Sequence, residues 1–212
     1  MLKRIGAIIT AAGATAALTA GLAAAPSFAT TIRATWTITP GGAVTGKAGT
    51  TTLKDTKTGT TLTCASSATS ATLKSGSGQT NPIGKITSVT FSTCTGPGGL
   101  VFTATTTASS TNPYPLNATG FNSTSGVTTG NITNIKASIS GPGCSASVAG
   151  TTATSTGKVT GKYNNGTGKL STSGGNLHIW NVSGCFGLIA SGDPSTFKGV
   201  YTISPKQKIT SP

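Results

Sequence analysis

The sequence predicts an all-β fold, a sandwich or barrel of short antiparallel strands, on three observations. Thr and Ser dominate the composition, while Leu and Met are scarce and Glu is absent. Branched Cβ atoms suit a pleated surface and lose χ1 freedom in a helix. Large and polar residues alternate over short runs that Gly, Pro and Asn interrupt, as at Thr95-Gly96-Pro97-Gly98-Gly99 and Asn164-Asn165-Gly166. Beyond residue 30 no stretch sustains a helical period.

Residues 1–29 read as a secretory signal peptide. Lys3 and Arg4 form a basic start, Ile5 to Leu22 carry no charge, and Pro26 is followed by Ser27-Phe28-Ala29, which places cleavage after Ala29. The rival is an uncleaved anchor, but the Ala, Gly and Thr content makes a weak span. The mature chain, residues 30–212, is then an exported all-β domain with no membrane span after cleavage.

Strands are expected in order at Thr60 to Cys64, Ile86 to Phe91, Val101 to Thr106, Ile132 to Ile139, Ser145 to Ala149, Leu177 to Val182 and Gly199 to Ile203. Turns are expected between them, including Asn112-Pro113-Tyr114-Pro115, Gly141-Pro142-Gly143 and Gly192-Asp193-Pro194. The segments Trp36-Thr-Ile-Thr-Pro40 and Tyr201-Thr-Ile-Ser-Pro205 echo each other, as equivalent strands or as strands that pair together.

Four cysteines in an exported chain imply two disulfides. The surroundings of Cys64 and Cys94 resemble those of Cys144 and Cys185, with a strand-like segment before the second cysteine of each pair. This suggests two related halves, at about residues 50–125 and 126–205. Counting back from the cysteines matches Val89 with Trp180 and Phe91 with Val182. A duplicated unit would keep its own bridge, which favours Cys64–Cys94 and Cys144–Cys185 among the three connectivities. A metal site lacks partners, with one histidine and no paired-cysteine motif.

With the leader, the paired cysteines and the Tyr201-Thr-Ile-Ser-Pro205 ending in view, the chain resembles a group of exported proteins of unknown function from high-GC Gram-positive bacteria. The resemblance implies secretion. It carries no active-site motif, so no functional residue is transferred from it.

Without Lys3 and Arg4, 13 basic residues face only Asp55 and Asp193, a net charge of +11. That sign favours anionic partners such as cell-wall polymers or polysaccharide. The basic residues are scattered and almost all Lys, and aromatic residues are 5% of the chain. This argues against sequence-specific nucleic-acid binding, which leans on clustered Arg and stacking surfaces. Proton-transfer groups are few: His178, Asp55 and Asp193, with both aspartates expected as solvated turn residues. No Gly-x-Ser-x-Gly elbow or phosphate-binding loop is present. The reading is a non-enzymatic β protein, with no catalytic, metal or cofactor residues, held at the cell surface or released. Its alternatives are a carbohydrate-binding module using exposed aromatics, Tyr114 between its prolines first among them, and a small hydrolase centred on His178.

Overall fold

Period-two alternation governs the strands. In Gly157-Lys-Val-Thr-Gly-Lys-Tyr163, the Gly and large apolar positions turn inward while Lys158, Thr160 and Lys162 face out. The structure is a computed structural model that describes residues 34–212. The leader, its cleavage point and Arg33 lie outside the described residues.

The strands are β1 (Trp36–Thr39), β2 (Gly42–Ala48), β3 (Thr51–Asp55), β4 (Thr61–Leu73), β5 (Gly76–Gln79), β6 (Gly84–Thr95), β7 (Val101–Thr106) and β8 (Tyr114–Asn122). They continue as β9 (Val127–Ile135), β10 (Ala137–Gly141), β11 (Cys144–Ala149), β12 (Gly157–Asn164), β13 (Lys169–Gly175), β14 (Leu177–Gly184), β15 (Pro194–Ser204) and β16 (Lys208–Thr210).

The ladders join these strands into eight long staves: β2 with β3, then β4, β6, β7 with β8, β9 with β10, β11 with β12, β13 with β14, and β15. Each stave pairs antiparallel with the next in sequence. The last returns to the first, through Tyr201↔Ala48 and Phe197↔Leu53. The result is a closed up-and-down barrel, which leaves no free sheet edge.

The two barrel ends differ. At one end β1 pairs with β16 and β5 in a small separate sheet, and Trp36, Ile38 and Ile209 are buried beneath it. Gln207 is buried in the same cap. Its side-chain oxygen accepts the Gly41 amide at 2.8 Å, and its backbone N–H and carbonyl both pair with the Tyr163 hydroxyl at 2.9 Å. At the other end, the mouth, the β3–β4, β6–β7, β10–β11 and β14–β15 turns surround the opening.

Both disulfides form as the repeat favours, Cys64–Cys94 and Cys144–Cys185. The first joins the second and third staves, the second the sixth and seventh, half a circuit apart. Their loops span sequence separations of 30 and 41. In the chain-entropy view each contributes about 3.5–4 kcal/mol. Gly184, at φ +71, sets up the second bridge, because a Cβ there would collide with the Gly143 carbonyl.

Several sequence expectations need correction. The strand expected over Ile132 to Ile139 is divided at Lys136 into β9 and β10. The two proline-terminated echoes do not pair together; β1 pairs with β16 and β5, and β15 with barrel strands. The match of Val89 with Trp180 fails on orientation. Val89 lines the barrel interior, whereas the Trp180 indole donates to the Gly150 carbonyl at 3.0 Å.

Candidate functional site

The barrel gathers the two aspartates at its mouth, although 138 positions separate them in sequence. Asp55 ends β3 and Asp193 closes the turn before β15. Both are almost fully buried, at 1% and 2% exposure, which corrects their reading as solvated turn residues. Asp55 Oδ1 accepts the Lys57 and Thr58 amides at 2.8 and 3.0 Å, the local turn bonding for which Asp is suited. Asp193 Oδ2 accepts the Ala190 amide at 2.7 Å, and its Oδ1 accepts the Lys57 ammonium at 3.0 Å.

The Lys57 hydrogen bond holds the Asp193 carboxyl below its ordinary range, against the opposing effect of burial. The Ala190 amide, the Lys57 charge and a contact with Asp55 add to the lowering. Lys57 is raised in turn, first by its bond to Asp193. A general acid working near neutral pH needs its carboxyl moved upward. Asp193 moves the other way, and its oxygens are occupied in tying the β3–β4 turn to the β14–β15 turn.

His178 lies on β14 with Nδ1 3.1 Å from the Asn176 carbonyl oxygen, and its ring stacks on Trp180 at 6.3 Å. The Asp193 carboxylate is committed to Lys57 and Ala190, and the His178 ring bonds to neither carboxylate. The groups of a Ser–His–Asp arrangement are therefore not brought together around His178.

Tyr114 is 3% exposed, which corrects its reading as the exposed aromatic. The flanking prolines do not make a turn there; Tyr114 opens β8 opposite Ile86. Its hydroxyl accepts the Thr107 and Lys136 amides at 3.0 and 3.3 Å and donates to the Lys136 carbonyl, pinning the β7–β8 loop over the β9–β10 break. Trp36, Tyr163 and Tyr201 are also buried. Among the described residues the aromatic most open to solvent is Phe186, 75% exposed at the mouth.

The outer wall is cationic. Among the described residues eleven lysines are exposed and Lys136 is half-buried, while both side-chain carboxylates are buried. Lys47, Lys54, Lys158, Lys162, Lys169 and Lys198 lie on the staves from β12 round to β3. The registers Lys169↔Thr202 and Thr202↔Lys47 put Lys169 and Lys47 level, two strands apart. That is about 10 Å, near the Debye length at physiological salt, so their fields overlap.

No protein family, curated protein or solved structure matches the chain. No helix among the described residues is long and apolar enough to cross a membrane, and no group of three or more His, Cys, Asp or Glu is placed among them to hold a metal ion.

Composition alone gave the sign of the charge but not the loss of its acidic counterweights to the interior. Nor did it give the cavities inside the barrel. Their signal was in the sequence, as Ala and Thr at positions that alternate inward.

Proposed function

We propose that this is an exported, non-enzymatic β-barrel that binds anionic polymers of the cell envelope through its lysine-covered wall. The observation that carries the reading is the burial of both carboxylates beneath a surface with eleven exposed lysines. Among the described residues only Lys57 is paired to a carboxylate, and the like-signed field of the other exposed lysines attracts a flexible polyanion over many weak contacts. The closed barrel, braced by its two disulfides, keeps the lysines at fixed spacing at little further entropic cost on binding. The commitment of Asp193 to Lys57 favours this reading over a hydrolase, and the burial of Tyr114 over an aromatic sugar platform.

The test uses the mature protein on an insoluble polyphosphate matrix. Retention at low salt and release by about 0.5 M salt are expected, because screening shortens the field to a few ångströms. The triple substitution Lys47→Gln, Lys162→Gln and Lys169→Gln should move release to clearly lower salt. Retention that survives 1 M salt, or that the triple variant leaves unchanged, would overturn the proposal.

A further inference from the structure

An eight-stranded barrel has an interior just wide enough for side chains to fill or for one small ligand. This chain, poor in large apolar residues, does not fill it. The central cavity, about 120 Å3, has small side chains on its wall at Thr69, Ala104, Thr106, Ala137 and Thr172. A second cavity of about 100 Å3 lies toward the capped end and shares Thr69, Ile86, Ile132 and Leu170 with the first. A third, about 60 Å3, lies toward the mouth and shares Leu53, Leu62 and Ile139 with the central one. The three voids follow one another from the capped end to the mouth, each sharing lining side chains with the next. The exposed Leu100, Phe186 and Leu188 line the outermost.

Among the described residues four buried side-chain atoms lack a hydrogen-bond partner, Trp36 Nε1, Thr51 Oγ1, Asp55 Oδ2 and Ser195 Oγ, while other polar groups inside are paired. The Tyr201 hydroxyl meets Ser67 Oγ at 2.9 Å, and the Thr172 hydroxyl donates to the Gly199 carbonyl at 3.2 Å. Thr51 Oγ1 is the exception on the central wall: the residue is 1% exposed and the hydroxyl has no partner. A buried hydroxyl left unpaired costs free energy that a ligand group can recover. At the mouth cavity the wall includes Asp55, whose Oδ2 is also buried and unpaired. The Lys57 ammonium beside it is bound to Asp193, so an anionic head group would face the Asp55 carboxylate with the local cation already committed.

We propose that the barrel interior binds one neutral, elongated apolar molecule carrying a hydroxyl or carbonyl, admitted at the Leu100–Phe186–Leu188 rim and hydrogen-bonded to Thr51. Apolar cavities of this kind stay dry when empty and accept apolar guests. The row of voids selects for length, the Thr51 hydroxyl for a single polar group, and Asp55 against an anion. The site is separate from the lysine wall, so it does not depend on polyanion binding.

N-phenyl-1-naphthylamine, a neutral probe that brightens in apolar surroundings, tests this on the mature protein. Saturable one-to-one binding is expected. Decanol should displace the probe, and decanoate should need at least tenfold more. Ala104→Leu with Ala137→Leu fills the central cavity and should weaken the probe at least tenfold, with retention on polyphosphate unchanged. Should that pair not fold, Thr51→Val, which deletes only the unpaired hydroxyl, should weaken decanol at least threefold and leave the probe unaffected. Absence of saturable binding, equal displacement by decanoate, insensitivity of folded filled protein, or decanol unaffected by Thr51→Val would each overturn the assignment.

Discussion

At the scale of single residues, side chains that look like chemistry in the sequence work here as ties. Asp193 shows the sign. Its folded carboxyl is held below its ordinary 3.8, so its contribution is complete above that value and is lost as pH falls through the lower, folded one. Lys57→Met removes the cation that causes the lowering. The variant should melt at a lower temperature than the parent at pH 7, and the gap should narrow as the pH falls below 3.8 and the carboxyl takes up its proton. Thermal melts followed by circular dichroism across that range measure it; a gap independent of pH would remove Asp193 as the cause. Tyr114→Phe is the second residue test. It deletes the acceptor of two backbone amides and should cost about 1–3 kcal/mol in urea denaturation. None of this was legible in the sequence. Prolines around Tyr114 signal a turn on local grounds, and the cation that holds Asp193 lies 136 positions away at Lys57.

At the scale of elements, legibility followed the strength of alternation. Ile86, Val89 and Phe91 announce β6, and Leu177 and Ile179 announce β14. In β12 Gly157 and Gly161 interrupt the inward side of the alternation that Val159 and Tyr163 carry, and in β13 only Leu170 and Thr172 turn inward against Lys and Ser, so the contrast that marks a strand is weakened. Those strands persist because the neighbouring staves supply both ladders. The disulfides are a different constraint. Replacing Cys64 and Cys94 by Ala, or Cys144 and Cys185 by Ala, should lower stability by about 3.5–4 kcal/mol in either case, since the loops differ little in logarithm. Guanidinium unfolding of the two double variants checks this; a loss near zero for one pair would mean that the reduced barrel already fixes that stave pair.

At the scale of the whole molecule, the two disulfides are spaced evenly around the ring. Four staves precede the turn after β8 and four follow it, and each disulfide lies within one set. The seam from β15 back to β2 and β3 is the one barrel contact between staves distant in sequence, while every other joins neighbours. Low sequence separation favours fast local pairing, so closure of that seam is the costly step. β1 and β16 already lie side by side at the capped end, through Thr37↔Thr210 and Thr39↔Lys208. A short Gly-Ser linker from residue 212 to residue 34, with the chain reopened between Ser123 and Gly126, turns the costly seam into a local contact and makes the β8–β9 pair the long-range one. Because neither disulfide crosses the new opening, the permutant should fold with both native bridges in a non-reducing peptide map and an unchanged strand spectrum. A permutant that folds with scrambled bridges would mean that the order of closure around the ring, and not the ring itself, specifies the pairing.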